Sequence, residues 1–230
     1  MKKRAFITGT SSGLGLALSE ELKDTHIVHK FNRFPSESDI YDISCDLSDE
    51  DSIKVALNKL PHRVKMTFDV VILNAGILGN LNTTNKLSLD EFKESMMVNC
   101  FSNKIIIDFF LKHFKVNNII GISSGASESA YYGWSLYCCS KSAFRQMLGV
   151  YAKENTETSF YSVTAGPFKS KMQNYIIQQD ENEIPSVKKF KESYSSMNTP
   201  ESVAKLIINN LNTISDLPSG SYVDLRKRNS

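Results

Sequence analysis

Short apolar runs and helical repeats alternate along this 230-residue chain. Residues 4–8 have the β-type composition of a strand, and Leu14, Leu18 and Leu22 then recur every four residues, as on one face of a helix. Residues 68–73, FDVVIL, hold five apolar positions without polar alternation, which is typical of a central parallel strand. The pattern therefore predicts strands and helices in turn.

The rest of the chain continues this alternation. We predict further strands at residues 26–31, 41–47, 117–124 and 159–166. We predict helices at about residues 49–60 with Ser48 as N-cap, at about 89–114, around the motif YCCSK, and at 201–211 behind Thr199 and Pro200. Helices and strands of these lengths predict an α/β fold, a single Rossmann-type doubly wound parallel sheet with helices on both faces.

One segment, at about residues 173–197, breaks the alternation. It is polar and helix-prone, and it follows the C-terminal end of a predicted strand. Loops and helices at that position often close over a bound substrate, so we predict a substrate lid. Because the sequence contains no internal repeat and no low-complexity linker, we expect one domain spanning residues 1–230.

Composition and charge exclude several classes of partner. The 27 basic and 25 acidic residues leave a net charge of +2, and the basic residues are scattered, so we do not expect nucleic acid as a partner. The longest apolar runs, such as residues 70–73, are too short to cross a membrane. The basic start of the chain is followed by only three apolar residues, which does not predict a secretory signal.

The four cysteines are Cys45, Cys100, Cys138 and Cys139. They have neither the paired spacing of a zinc site nor the density of a disulfide scaffold. We therefore expect reduced thiols, no metal, and a cytoplasmic protein.

A glycine-rich turn, TGTSSGLG at residues 8–15, joins the first predicted strand to the first helix. Such a turn lets the pyrophosphate of a dinucleotide approach the helix N-terminus, where free N–H groups favour anions. Glycine-rich loops also occur for conformational reasons alone, but the flanking strand and helix favour the dinucleotide. The predicted contacts in this turn are Gly9, Ser11, Ser12, Gly13, Leu14 and Gly15.

The end of the second predicted strand bears on which nicotinamide cofactor binds. Folds that bind NAD commonly place an acidic residue here, but this chain reads FNRF at residues 31–34. Asn32 and Arg33 suit the 2′-phosphate of NADP, although Arg33 also fits a solvated surface arginine. Glu37 and Asp39 lie farther along the loop and are the residues that would favour NAD instead.

The motif YCCSK places a phenol and an amine on one face of a helix, since Tyr137 and Lys141 are four residues apart. An ammonium beside a phenol favours its ionised form, and we expect such a tyrosine to exchange a proton with a carbonyl near neutral pH. Cys138 and Cys139 point about 100° apart on a helix, which disfavours a redox or metal pair. We expect these cysteines and Ser140 to fill the turn between the reacting groups.

Seven motifs in this order resemble the short-chain dehydrogenase/reductase family: TGTSSGLG, CDL at residues 45–47, LNAG at 73–76, VN at 98–99, ISSG at 122–125, YCCSK at 137–141 and AGPFKSKM at 165–172. The resemblance spans essentially the whole chain. Within the family, residues 123–141, the lid with IPSVKKFKE and the ending LPSGSYVDLR look most like benzil reductases and the related sepiapterin reductases.

The resemblance implies a catalytic set of Asn99, Ser124, Tyr137 and Lys141. Tyr137 would exchange the proton, Ser124 would orient the carbonyl, and Lys141 would also hold the nicotinamide ribose. Asn99 would support a water relay to the lysine. Ser123 is the alternative to Ser124, which we prefer because the second serine of ISS matches the family position.

Further cofactor contacts follow from the same resemblance. Asp46, with Leu47, would meet the adenine, and Asn74, Ala75 and Gly76 would lie beside the adenosine ribose, although LNAG also fits a role in sheet geometry alone. The loop at residues 165–172 has Ala-Gly in place of the family's Pro-Gly and a serine in place of its threonine, so it lacks a φ-locking proline. Its predicted contacts to the carboxamide side of the cofactor are Gly166, Pro167, Phe168 and Ser170.

The resulting functional prediction is an NADPH-dependent carbonyl reductase of a ketone or vicinal diketone. A set of side chains, also compatible with ordinary packing, would line a ring-accepting pocket: Tyr131, Tyr132, Trp134, Phe168, Met172 and Tyr175. Two alternatives are a nucleotide-sugar epimerase or dehydratase, whose chains are usually longer, and a non-catalytic NADP-binding regulator. The apolar stretch KIIIDFF at residues 104–110 fits a homodimer interface or the monomer core.

Overall fold

A computed structural model describes residues 2–61 and 66–227 of the chain. Its seven strands form one parallel sheet in the order β3-β2-β1-β4-β5-β6-β7, which confirms the predicted fold class. The strands are β1 Lys3–Thr8, β2 His26–Asn32, β3 Asp42–Ser44, β4 Thr67–Leu73, β5 Lys115–Ile122, β6 Ser159–Thr164 and β7 Tyr222–Asp224. The strand order reverses between β1 and β4, and ligands of such sheets bind in the crevice beyond that point.

Helices cover both faces of the sheet. They are α1 Gly13–Leu22, α2 Glu50–Asn58, α3 Leu89–Met96, α4 Ser102–His113, α5 Ser135–Glu154, α6 Lys171–Gln178, α7 Lys188–Ser193, α8 Pro200–Asn209 and α9 Leu211–Ser215. On one face α2, α4 and α5 bury apolar side chains such as Ile53, Ile106 and Phe144. On the other face α1 and α8 do so with Leu18 and Val203. Burial of these two apolar layers is what holds the sheet between its helices.

Helix α2 is capped by Asp49, and the prediction of Ser48 as its N-cap was wrong. The Asp49 carboxylate accepts a hydrogen bond from the backbone N–H of Asp51. The Ser48 hydroxyl instead donates to Asp46 Oδ1 at 2.7 Å. Both residue types are good caps, so the local sequence does not distinguish the two positions.

The long helical segment predicted at about residues 89–114 is interrupted. Helices α3 and α4 are joined by a π-helical turn, Met97–Phe101, which contains Asn99. Such turns insert one extra residue into a helix and are frequent at functional sites. The apolar stretch 104–110 largely serves the monomer, since Ile106, Ile107 and Phe110 are buried in its core.

The predicted lid at residues 173–197 contains most of α6, all of α7 and short 3₁₀ turns at Pro185–Val187 and Tyr194–Ser196. The prediction of one domain over residues 1–230 includes residues 1, 62–65 and 228–230, which lie outside the described ranges. Within those ranges no helix combines the length and apolar character needed to span a membrane.

Candidate active site

A cleft of about 960 Å³ lies at the carboxyl ends of the strands and runs from the glycine-rich turn to the lid. Its lining includes nearly every site residue predicted from the sequence: Gly9, Ser11, Ser12, Gly13, Leu14, Asn32, Arg33, Asp46, Leu47, Asn74, Ala75, Gly76, Ser124, Tyr137, Lys141, Gly166, Pro167, Phe168 and Ser170. Gly15 and Asn99 are not among the lining residues.

Gly15 lets helix α1 pack against the turn that precedes it. A Cβ atom at this position would lie 2.1 Å from the carbonyl oxygen of Gly9, closer than any van der Waals contact permits. Gly9 itself has φ +73°, a conformation that favours glycine. Asn74 ties the end of β4 to the same turn, since its Nδ2 donates to the carbonyl oxygen of Thr8 at 2.9 Å.

The N-terminus of α1 is suited to a phosphate group. Its N-cap, Ser12, makes no side-chain capping bond to the described residues, so the first backbone N–H groups are not satisfied by that hydroxyl. Ser11, Ser12 and Gly13 all line the cleft there. The backbone N–H groups at the start of the helix, two hydroxyls and the helix dipole together fit the pyrophosphate of a dinucleotide.

The residues at the end of β2, which bear on the choice between NAD and NADP, differ in their contacts. The buried Asn32 uses its Nδ2 within the protein, donating to Thr10 Oγ1 at 2.7 Å and Asp42 Oδ1 at 2.8 Å. Arg33 lines the cleft and takes part in none of the ion pairs found among the described residues. The Asp39 carboxylate lies 2.7 Å from Lys30 Nζ, and neither Asp39 nor Glu37 lines the cleft.

Ser124, just beyond the end of β5, lies beside Tyr137 on α5. The Ser124 side chain is close enough to the Tyr137 phenol to influence its pKa, and the Ser124 Oγ accepts from the backbone N–H of Ala126 at 3.2 Å. The Ser123 hydroxyl points elsewhere and donates to Ser127 Oγ at 3.1 Å. Of the two serines, Ser124 is therefore the one placed to share a ligand oxygen with Tyr137.

The electrostatic setting of Tyr137 and Lys141 differs from the expected one. Burial raises the pKa of Tyr137 to about 12, with the Ser124 hydrogen bond opposing the shift. Burial lowers the pKa of Lys141 to about 8. In the protein alone the favouring of the ionised phenol that was expected from a neighbouring ammonium is outweighed by desolvation of both groups, and the amine donates to the backbone carbonyl of Ile122.

Asn99 holds three chain segments together. Its Oδ1 accepts from the backbone N–H of Ile77 at 2.8 Å, and its Nδ2 donates to the carbonyl oxygen of Ile77 at 2.8 Å and to Ser140 Oγ at 2.9 Å. These bonds link the π-helical turn to the segment after β4 and to α5. Ser140 is fully buried and belongs to this network, so it does more than fill the turn within YCCSK.

Within the described residues, none of the cysteines is hydrogen-bonded to Ser124, Tyr137 or Lys141. Burial raises the pKa of the Cys45 thiol to about 12 and that of Cys100 to about 11, which keeps both protonated at neutral pH. Cys138 donates to the carbonyl oxygen of Ser129, and Cys139 is exposed. No cluster of metal-ligating side chains occurs in the described part of the chain.

Some pocket residues predicted from the sequence line the cleft and others do not. Tyr131, Trp134, Phe168 and Met172 line it. The prediction that Tyr132 and Tyr175 line the pocket was wrong, because these side chains are 54% and 38% exposed and lie outside the cleft. Several further lining residues were not predicted, among them Lys189, Phe190 and Arg226. The first two fall within the predicted lid, while Arg226 follows the short strand β7, for which the sequence pattern gave no signal.

Comparison with known proteins agrees with this geometry. The family profile described as short chain dehydrogenase matches residues 3–181. The chain belongs to the short-chain dehydrogenase family. Among curated relatives, a benzil reductase ((S)-benzoin forming) of Bacillus cereus is 26% identical over 94% of this chain and 96% of its own length. The Bacillus subtilis benzil reductase is 23% identical over 88% of this chain and 90% of its own length.

The solved structures extend the similarity to the fold. A short-chain dehydrogenase/reductase from Saccharomyces cerevisiae superposes with a TM-score of 0.84 at 20% identity, covering 97% of this chain and 96% of that one. As a member of this family, the chain is an oxidoreductase acting on CH–OH or carbonyl groups.

Proposed function

We propose that this protein is an NADPH-dependent carbonyl reductase that converts an aromatic ketone or vicinal diketone to an alcohol. The neighbouring side chains of Ser124 and Tyr137, which line the same cleft as the α1 N-terminus, carry the proposal. The two Bacillus relatives named benzil reductase support the choice of substrate class. Apolar rings from Tyr131 and Trp134 line the same end of the cleft.

The reaction adds a hydride to the carbonyl carbon and a proton to its oxygen. The nicotinamide of the bound cofactor supplies the hydride. Tyr137 donates the proton, and its raised pKa keeps the phenol in the donating form throughout the physiological range. Ser124 donates a second hydrogen bond to the same oxygen, and the Lys141 ammonium stabilises the phenolate that remains.

The cofactor is held by residues already grouped in the cleft. Ser11, Ser12 and Gly13 fit its pyrophosphate, and Asp46 fits its adenine side. Arg33 fits a 2′-phosphate, because it lines the cleft and forms no close ion pair within the described residues, and because Asp39 pairs with Lys30 instead. The charge of Arg33 also acts on Asp46 in the same cleft. This arrangement favours NADPH over NADH.

We further propose that the protein is a homodimer located in the cytoplasm. Phe101 and Val150 are 49% and 45% exposed on the two helical segments through which members of this family commonly associate, which supports a homodimer. All four cysteines are free, as suits the reducing cytoplasm. Size-exclusion chromatography with light scattering tests the assembly, and a monomeric mass would refute the dimer.

The deciding experiment measures NADPH and, separately, NADH oxidation by the purified protein with benzil, other aromatic diketones and simple ketones. Fast oxidation with benzil and NADPH and little with NADH is the expected result. Equal rates with both cofactors would keep the reductase and overturn the role of Arg33. Cofactor binding without turnover of any carbonyl would instead support a non-catalytic NADP-binding regulator, and turnover of a nucleotide sugar alone would support the epimerase alternative.

A further inference from the structure

Three aromatic side chains form a wall beside the catalytic tyrosine. The rings of Trp134 and Phe190 stack with centroids 5.1 Å apart, and Tyr131 meets Trp134 edge-on at 5.4 Å. The Tyr137 ring lies 6.2 Å from Trp134. We call Tyr131, Trp134 and Phe190 the aromatic wall; it brings α7 of the lid against the residues that precede α5.

A positive charge lies on this wall. Lys189 Nζ is 3.8 Å from the ring centroid of Tyr131 and 5.0 Å from that of Phe190. Within the described residues no carboxylate pairs with this ammonium, and the acidic side chains lining the cleft are Asp46 and Glu94. A cation held over aromatic rings at a cleft, with no carboxylate partner, favours an anionic ligand group.

The other cation at this end is already neutralised. Arg226 makes two bonds to the Asp224 carboxylate, from Nε at 2.9 Å and Nη2 at 2.6 Å. Lys169 and Lys171 also line the cleft, but they belong to the loop after β6, beside the proposed cofactor contacts. Lys189 is therefore the charge placed to act on a substrate rather than on the cofactor.

Tyr131 brings the aromatic wall near the chain at Ser124. A Cβ atom added to Gly125 would lie 3.3 Å from the Tyr131 hydroxyl, which places that hydroxyl beside the residue following Ser124. Burial raises the pKa of Tyr131, so its hydroxyl remains a hydrogen-bond donor. A phenol donor and an ammonium thus belong to the same wall of the cleft as the neighbours of Ser124 and Tyr137.

We propose that the substrate carries a carboxylate next to its carbonyl, as an aryl 2-oxo acid does, and that Lys189 and Tyr131 bind this carboxylate while the aromatic wall receives the ring. The proposal rests on the function proposed above. The reaction then consumes an aryl 2-oxo acid, a hydride and a proton and yields the 2-hydroxy acid. It differs from reduction of a neutral diketone in requiring the lid's positive charge.

The test compares phenylglyoxylate with its neutral methyl ester, both with NADPH. The wild type should show the higher kcat/KM for the acid. Lys189→Met keeps the aliphatic stem over Tyr131 and removes the charge, so it should lower kcat/KM for the acid by about fivefold or more relative to the ester. Lys188→Met, which removes an exposed lysine outside this cleft, should leave the ratio of acid to ester unchanged.

Salt provides a second readout, since raising it from about 20 mM to about 500 mM should weaken use of the acid by the wild type and affect Lys189→Met less. An ester preferred over the acid, or equal losses for both compounds in Lys189→Met, would overturn the proposal and leave Lys189 as a packing residue of the lid. If neither compound is reduced, binding to the complex with NADP⁺ decides. Tighter binding of the acid than the ester, lost in Lys189→Met, supports the anion site even if the reductase proposal fails, and no such difference overturns it.

Discussion

The ammonium of Lys141 lies 5.8 Å from the ring centroid of Tyr137 and donates its hydrogen bond to the main chain instead, at 2.9 Å from the carbonyl oxygen of Ile122. The amine thus lies between the end of β5 and the cleft, and its influence on the phenol is that of a nearby charge. In the protein alone this influence is outweighed by burial, which sets the pKa of both groups. A bound cofactor that takes a hydrogen bond from Lys141 would alter this balance.

Replacing Tyr137 with Phe removes the proposed proton donor while keeping the ring against Trp134. We expect turnover of benzil with NADPH to fall by about 10²- to 10⁴-fold, because general acid catalysis contributes on that scale. NADPH affinity, measured by fluorescence titration, should stay close to that of the wild type. Tyr132→Phe is the matched control, since Tyr132 lies outside the cleft. Turnover of Tyr137→Phe at the wild-type rate would contradict the assignment.

The lowered pKa of Lys141 predicts a pH-dependent stability. In the folded protein this pKa falls from 10.5 to about 8, so between those pH values the unfolded chain binds more protons than the folded one. The contribution of Lys141 to stability is therefore lowest below pH 8 and increases as pH rises toward 10.5. Between pH of about 7 and about 9.5, the unfolding free energy of the wild type should rise by about 2 kcal/mol relative to Lys141→Met.

Urea denaturation of both proteins at the two pH values measures this difference. Lys205→Met, which removes an exposed lysine from α8, controls for general effects of pH. A constant difference between the wild type and Lys141→Met across the range would show that the amine has the same proton affinity in both states.

The parts of the fold that the sequence predicts are those with a strong local pattern. The apolar run 68–73 and the leucine repeat of α1 match a buried strand and a helix, because burial of one face requires that spacing. Strand β7 has three residues, too few to show a period. The π-helical turn at Met97–Phe101 inserts one residue into an otherwise helical pattern, and tertiary bonds through Asn99 accompany it.

The candidate site likewise has features that the local sequence predicts and features that depend on tertiary packing. Glycines and the Tyr137–Lys141 spacing are local, and the cleft contains both. The direction of the pKa shifts was not predictable from spacing, since it depends on how much of each group is desolvated. Lys189 and Arg226 reach the cleft only through the packing of the lid and of the chain after β7, so residues distant in sequence define the substrate end.

The position of Arg33 in the cleft predicts a preference for NADPH over NADH, which can be tested separately from catalysis. Arg33→Gln should reduce the ratio of kcat/KM for NADPH to that for NADH by about tenfold or more, because a charge-assisted contact to the 2′-phosphate is lost. The value for NADH should change little. Lys54→Gln, which removes a positive charge from the exposed face of α2, is the control. An unchanged cofactor ratio in Arg33→Gln would place that side chain in solvent.

The close approach of Gly15 to Gly9 predicts that alanine substitutions at two helical glycines, Gly15 and Gly149, have different effects on stability. Ala at Gly15 would place its Cβ 2.1 Å from the backbone oxygen of Gly9, so α1 must move away from the turn. At Gly149, within α5, an added Cβ meets nothing within 4 Å. Gly15→Ala should therefore lower the unfolding free energy by about 1–3 kcal/mol, as overpacking does, while Gly149→Ala should leave it unchanged or raise it by up to about 1 kcal/mol.

Urea denaturation measures both effects, and NADPH titration adds a second readout. Displacement of α1 also moves Ser12 and Gly13, so Gly15→Ala should bind NADPH more weakly even where it remains folded. Gly149 lies outside the cleft and should not alter affinity. Equal stability changes in the two variants would mean that helix propensity dominates and that the close approach of α1 to the turn does not constrain the fold.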